Sequence, residues 1–262
     1  MAEISGFALS QEELLAALAI AGLPAPTGCD DLAERIFGAL EADGRVASMA
    51  AAERSLLAHG FSKLSTDGSE LDGAIAAALG VCARPKQTWV ILHQPAGQTQ
   101  RATHIHAAGE HCLAHVETLG IHQFIVLGGR QDVLETAQQI VSPLASGHVR
   151  AVGGALPEAT FAALAGAAHE EPLAELQARL GQAGLSAEAA AAFADTIAHL
   201  VSITAFAQFN HAVTPELQRA FTIVLGEHAQ WLLHLAAPGL LRLRQAPAAA
   251  VAQILDDFAH GS

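Results

Sequence analysis

Apolar positions along this chain fall first in a helical rhythm and then in alternation, and the same succession returns in the second half. Leu14, Leu15, Leu18 and Ala19 share one helical face. Ser10-Gln11-Glu12-Glu13 before them has the form of a capping box, in which the serine hydroxyl and the glutamate carboxylate satisfy free amides at the helix start. Gly22 and Pro24 supply the stop. Further helices are predicted over about 30–41 and 48–59. A fourth is predicted after the turn Thr66-Asp67-Gly68, with Ser69 as its cap and Leu71, Ile75 and Leu79 on its apolar face. At Pro85 the rhythm changes. Four strands are predicted at 88–93, 100–107, 110–118 and 121–127, joined by short glycine-containing turns. Connections this short suit only antiparallel neighbours, so the four form a β-meander. A helix over about 130–141, ended by Pro143, closes the segment, and the glycine-rich piece Ala151 to Pro157 reads as a linker.

After the linker, helices are predicted near 172–181 and 186–200, strands near 203–209, 217–225, 228–236 and 240–244, and a last helix at 248–258. Residues echo the order of elements. Gln100-Arg101-Ala102 recurs as Gln218-Arg219-Ala220, and Gly109-Glu110-His111 as Gly226-Glu227-His228. Leu57 to Ser62 parallels Gly181 to Ser186. The expected fold is therefore α+β: a quasi-two-fold duplicated unit whose two meanders build a central antiparallel sheet, with helices on one face. The expected organisation is an N-terminal helical segment at 1–47, a first helix–meander–helix repeat at 48–150, a linker and helix at 151–171, and a second repeat at 172–262, the repeats forming one domain.

Composition narrows the functional classes. The 262 residues are 52% hydrophobic with mean hydropathy +0.34. Much of that is alanine, and no stretch approaches the roughly 20 uninterrupted apolar residues of a spanning helix. The segment Ala187 to Phe209 comes nearest and is broken by Glu188, Asp195 and His199. Residues 1–10 lack the basic start of a signal peptide. The three cysteines, Cys29, Cys82 and Cys112, have no C-x-x-C spacing and suit reduced thiols in the cytosol. Net charge is −13, from 13 basic and 26 acidic residues, which opposes nucleic-acid and anionic-membrane partners.

Histidine is the one chemical signal. His104-x-His106 lies on the second predicted strand, His111 and His115 on the third. The turn at Ala107 to Glu110 implies a register with His106 opposite His111, and with His104, His106, Leu113 and His115 on one face. Two histidines at alternate positions plus a third from the neighbouring strand is the spacing of three-histidine zinc sites, which leave a fourth position for water. The competing reading makes these residues half-exposed on the solvated face of the sheet. Thr103, Ile105, Cys112, Ala114 and Val116 then supply the core stripe on the other face. The second half favours that reading, because Thr222, Val224 and Leu232 stand where the first has His104, His106 and His115. The expectation is no catalytic, cofactor-binding or metal-ligating residue and no cofactor, with zinc at His104, His106, His111 and His115 as the alternative.

Other constellations carry less. His169-Glu170-Glu171 begins like a zincin helix but lacks the second histidine, and Gly128-Gly129 and Gly153-Gly154 lack the frames that cradle phosphates. There is no G-x-S-x-G elbow. Cys112 points away from His111 and reads as a buried structural thiol. The pairs Asp30-Asp31, Glu170-Glu171 and Asp256-Asp257 fall at helix ends. Trp89 and Trp231 read as core residues, or as anchors in a protein-binding face.

The segments Ala52 to Gly60, Asp67-Gly68 and Ala83-Arg84-Pro85 resemble the EspG family of type VII (ESX) secretion-associated proteins. Gly184-Leu185-Ser186, Phe206 to Phe209 and Gly226 to Leu233 extend the resemblance. It implies a quasi-two-fold α/β fold, a cytosolic chaperone without a cofactor, and binding to the helical tip of PE–PPE secretion substrates, whose apolar surface it masks. No contact residue is implied. The expected partner is a helical secretion substrate bound beside an exposed apolar patch, and an exposed sheet edge leaves homodimerisation open.

Overall fold

The computed structural model describes residues 5–66, 68–144, 149, 151–167, 171–212 and 214–260. Strand β1 (Gly6–Ser10) leads into helix α1 (Gln11–Ala21) through the capping box: the Ser10 hydroxyl accepts from the Glu13 amide at 3.1 Å, and the Glu13 carboxylate accepts from the Ser10 amide at 2.8 Å. Helices α2 (Leu32–Phe37) and α3 (Ala42–Ala58) follow, then the hairpin β2 (Ser62–Ser65) and β3 (Gly68–Leu71). Helix α4 (Gly73–Ala83) is capped by Asp72, whose carboxylate accepts from the Ala74 amide at 2.9 Å. The meander comprises β4 (Gln87–Pro95), β5 (Arg101–Ala108), β6 (His111–Thr118) and β7 (Ile121–Leu127), and α5 (Arg130–Val141) closes this half. The second half runs β8 (Gly153–Pro157), α6 (Glu158–Ala167), α7 (Leu173–Gln182), α8 (Ala187–Ala198), β9 (Leu200–His211), β10 (Pro215–Gly226), β11 (Gln230–Ala237), β12 (Leu240–Gln245) and α9 (Ala248–His260).

Among the described residues this is an α+β fold of nine helices, with ten strands in antiparallel sheet besides the β2–β3 hairpin. The chain divides into two compact units. The first holds Met1–Val90, Ala102–Gly129 and Phe209–Glu216, the second Ile91–Arg101, Arg130–Gln208 and Leu217–Ser262. Strand order in the first is β1-β7-β6-β5-β4, and in the second β8-β12-β11-β10-β9. One sheet face of the first unit is covered by its helices. The second unit carries helices on both faces: α7 and α8 on one, and on the other α9, whose Phe258 packs edge-on against Phe206 and Phe221, so the expectation of helices on one face only is corrected there. Leu14, Leu18, Leu56, Ile75 and Leu79 pack against Leu9, Leu113 and Phe124 in the first. Leu176, Leu180, Phe193 and Ile197 pack against Leu156, Trp231, Leu233 and Leu243 in the second. Trp89 and Trp231 are both fully buried, and the Trp231 indole donates to the Thr196 hydroxyl at 2.9 Å.

Three elements differ from the sequence expectation. Residues 69–71 belong to β3 of a hairpin, and the fourth helix starts three residues later than expected, with Asp72 and not Ser69 as its cap. Asp67 of the expected turn lies outside the described residues. The piece expected as a linker is strand β8, and an unforeseen strand β1 precedes the first helix. Both are five residues long, with two small residues among the first three of β1 and three among the first three of β8, a composition that disguises a strand. Their use is the same: β1 pairs with β7 and β8 with β12, each adding an edge next to the last strand of its meander. A Cβ on Gly6 would meet the Phe124 carbonyl oxygen at 2.7 Å, and one on Gly153 the Leu243 carbonyl oxygen at 2.6 Å, so glycine opens both pairings.

Candidate functional site

The candidate chemistry gathers on the helix-covered face of the first unit. In the β5–β6 hairpin His104 pairs with His115, His106 with Leu113, and Ala108 with His111. The sequence expectation of His106 opposite His111 is therefore corrected: the turn contains only Gly109 and Glu110, which moves His111 to the exposed end of the hairpin. His104, His106 and His115 do share a face, as expected. That face is covered, not solvated, and His106 and His115 are buried. The helices laid over it bury the histidines that sheet alternation had suggested were wet. A fourth histidine, His122 on β7, joins them fully buried, two residues from Phe124 on the same face.

The rings form a row across the strands. His115 Nε2 and His122 Nδ1 share a hydrogen bond at 2.8 Å, and the His115 ring stacks on Phe124 at 4.7 Å. Ring centroids of His104, His106 and His115 lie 6.0 to 6.2 Å apart. At the other end His106 Nδ1 meets the Thr88 hydroxyl at 3.2 Å, and His211 Nε2 meets the same hydroxyl at 2.9 Å. His106 Nε2, His115 Nδ1 and His122 Nε2 are buried with no hydrogen-bond partner. Each such orphan costs roughly 1–3 kcal/mol.

Burial makes these imidazoles hard to protonate. It pushes the pKa of His115 down to about 3, with His122 and His104 adding repulsion. Burial likewise holds His106 well below the usual histidine range, helped by the neighbouring histidines. His104 and His122 are lowered for the same first reason, against a smaller opposite pull from Asp30 and Glu117. The row is neutral at physiological pH.

A loop after α1 closes over the row. Gly28 has φ +87°, and a Cβ there would lie 2.6 Å from His104 Nε2, so only glycine lets the loop come down. The next residue, Cys29, is buried with its thiol pKa raised by burial to about 12. Cys29, His115 and His122 each offer a donor atom within 4.8 Å of the others, the only such trio of histidine, cysteine or carboxylate groups among the described residues. The alternative ligand set of His104, His106, His111 and His115 is thus not what the fold gathers. Glu117, the cross-strand partner of His122, accepts from Arg35 at 3.1 Å and from Gln11 at 3.0 Å at the edge of the cluster. Sequence reasoning missed Cys29 and His122. Cys29 arrives from a loop some 90 residues away, but His122 could have been found, since it sits on the alternation phase of Phe124.

Matching strand pairings aligns the two units. Gly6 opposite Ile125 corresponds to Gly153 opposite Arg244. Carried along the neighbouring pairs, His104, His106, His115 and His122 correspond to Thr222, Val224, Leu233 and Leu241. The expected counterpart of His115, Leu232, is thereby corrected to Leu233. The remaining expectations are quickly placed. Cys112 is buried on the opposite face, none of the three cysteines is in a disulfide, and His169 and Glu170 lie outside the described residues.

No family model matches the chain, and no curated protein matches it. Among solved structures it is similar to the Mycobacterium tuberculosis type VII secretion system chaperone EspG5, solved in complex with a PE25–PPE41 dimer. The TM-score is 0.62 over 97% of this chain and 94% of that one, at 12% identity. The chain has the fold of a type VII secretion chaperone. At that identity the likeness fixes the architecture and leaves the side chains free to differ. No helix among the described residues is long and apolar enough to cross a membrane.

Proposed function

We propose that this chain is a cytoplasmic, non-enzymatic chaperone of the type VII secretion kind, which binds a PE–PPE-like substrate and keeps it soluble. The observation that carries the reading is the fold shared over nearly the whole of both chains with EspG5, whose solved structure holds a PE25–PPE41 dimer. The surface of the first unit is in keeping with it. Leu119 in the β6–β7 turn is 98% exposed, and Ile121 and Ile125, on the face of β7 away from the helix-covered core, are also exposed. Exposed apolar groups so close together are what an apolar helical partner would cover. The test is a pull-down of the tagged chain from its native lysate with mass spectrometry. Enrichment of a PE–PPE-type pair, lost in an Ile121→Asp/Ile125→Asp variant that stays folded, supports both partner and surface. A lysate that contains such pairs and yields none on the resin overturns the reading. Light scattering on the purified chain decides the homodimer question directly.

We further infer that the two halves are copies of one unit, which moves the copy starts from residues 48 and 172 to Gly6 and Gly153. The support is Gly6-Phe7-Ala8-Leu9-Ser10 against Gly153-Gly154-Ala155-Leu156-Pro157, each leading into an alanine-rich helix, together with the matching strand orders. A self-comparison built from diverse relatives should align the halves at those two glycines; a consistent offset would rule the register out.

A further inference from the structure

We propose that Cys29, His115 and His122 form a metal site for a thiophilic ion of the zinc type. Their donor atoms lie within 4.8 Å of one another, and all three residues are buried. One thiolate with two imidazoles is a borderline-soft set that suits zinc and leaves a fourth position open. A second observation points the same way. His115 Nδ1 and His122 Nε2 are buried without partners, while the opposite nitrogens of the two rings are spent on each other at 2.8 Å. Two imidazoles that no other protein group anchors by a hydrogen bond are free to trade their mutual one for an ion beside the thiol. The third is the other unit, where Leu233 and Leu241 hold the matching positions with no nitrogen at all. The fold does not require polar groups there.

Tetrahedral ligation at ordinary bond lengths separates donor atoms by about 3.3–3.8 Å. The metal-free spacing, at most 4.8 Å, therefore closes by no more than about 1.5 Å, and the two ring nitrogens open from 2.8 Å. The Cys29 sulfur–metal bond forms as the thiol proton leaves to solvent, so one proton is released for each divalent ion bound. The histidine–histidine hydrogen bond breaks, and its proton passes to the far nitrogen of the same ring. Glu117, partly exposed and already tied to Arg35 and Gln11, stands at the edge of the cluster as a carboxylate to balance the bound charge. The geometry of the three residues carries the site on its own, apart from the chaperone reading.

The experiment is a titration of the metal-stripped full chain with Co²⁺, then with Zn²⁺ in competition. The expected result is one equivalent of cobalt with a thiolate-to-metal charge-transfer band, displaced by zinc. Cys29→Ser should abolish the band, and His122→Leu should weaken binding at least ~10-fold. Leucine at 122 is the residue the second unit carries, so this variant keeps the packing. If a variant fails to fold, the wild-type spectrum still decides, because cysteine is the only source of the band and Cys82 and Cys112 are outside the trio. A folded wild-type chain that shows no band at excess cobalt overturns the proposal. So does a band that survives Cys29→Ser, which would put the ion elsewhere.

Discussion

At four matched positions the first unit has half-buried His104 and buried His106, His115 and His122 where the second carries Thr222, Val224, Leu233 and Leu241. The strand order is the same, and so is the way helices cover the face. The second unit fills that face with Trp231, Leu233 and Leu243 against Phe193, an ordinary dry core. The first lays a row of imidazoles through the middle of its core, three of whose nitrogens have no partner. What differs is therefore not demanded by the architecture. A row of buried histidines that the same scaffold can do without is evidence of a task, because desolvating each ring costs stability that a leucine would supply.

The largest expected effect separates the two by acid. For a histidine whose pKa falls on folding, both states are neutral above the unfolded value, so no stability is at stake there. Below about pH 6.5 the unfolded chain takes up protons that the folded chain refuses, and stability drops until the folded pKa is reached, near 3 for His115. Burial is the first cause, and the pulls of Asp30 on His104 and of Glu117 on His122 do not reverse it. Metal-free protein should lose about 2 kcal/mol between pH 7 and 5 for each histidine that stays neutral. Urea unfolding at the two pH values measures it. The variant His104→Thr/His106→Val/His115→Leu/His122→Leu, which writes the second unit's residues into the first, should lose most of that slope. An equally acid-sensitive variant would move the cause away from the row.

The reverse transplant comes next. Leu233→His in the second unit removes a fully packed side chain and buries an imidazole among apolar neighbours with no partner in view. About 3 kcal/mol should be lost at pH 8, read as a lower urea midpoint with an unchanged slope. A cost under about 1 kcal/mol would mean that the second core tolerates polar groups as readily as the first.

Much of this contrast was legible in the sequence, and the limits are instructive. The alternation of His104, Ile105 and His106 and the returning order of elements were enough for an α+β fold with two meanders. The capping box and the hairpin turns announced themselves because their chemistry is local. What misled was the assumption that the polar phase of an antiparallel strand faces water. Whether helices cover that phase depends on α1, α2 and α4, and nothing within 104–115 encodes it. The register failed by two residues on the β5 side of the turn, since Gly109-Glu110 and a four-residue loop look alike in sequence. Strands β1 and β8 were lost because Gly6, Ala8, Gly153, Gly154 and Ala155 suppress the usual strand composition at the very places where close pairing needs small residues.

The loop over the row gives a third comparison, between glycines with positive φ in the two units. Gly28, at φ +87°, has the His104 ring at 2.6 Å from its absent Cβ, whereas Gly184, at φ +107°, has nothing within 4 Å. Alanine at 184 meets only backbone strain, about 1 kcal/mol. Alanine at 28 meets that strain and also drives the loop off the ring, for about 2–3 kcal/mol in all. Thermal melts of the two variants should rank in that order. In Gly28→Ala, reaction of Cys29 with a thiol reagent should also speed up, because Cys29 rides on the same loop. Equal melts would mean that His104 yields freely, and that the loop is not held down by the row.

The smallest effect lies at the helix starts that follow the paired edge strands. Ser10 precedes α1 and Pro157 precedes α6 at the matching position. In the first unit the cap is made by side chains. Ser10 Oγ accepts from the Glu13 amide, and the Glu13 carboxylate accepts from the Ser10 amide, from Ser55 Oγ at 2.7 Å and from His59 Nδ1 at 3.1 Å. Burial raises the Glu13 pKa, but those donors outweigh it and the net shift is downward, so the carboxylate helps the fold above its unfolded pKa and stops helping as pH falls through the lowered value. In the second unit the backbone does the work: the Glu158 amide donates to the Gly239 carbonyl at 2.9 Å in the turn between β11 and β12. Ser10→Ala should therefore cost about 1 kcal/mol. Pro157→Ser, which writes the first unit's cap into the second, should gain less than Ser10→Ala costs, because Thr160 stands three residues on where the first unit has Glu13, so the reciprocal half of the capping box has no carboxylate. A gain from Pro157→Ser as large as that cost in chemical denaturation would show that the turn carbonyl is a poor substitute, and that the two helix starts are not equivalent solutions to the same unsatisfied amides.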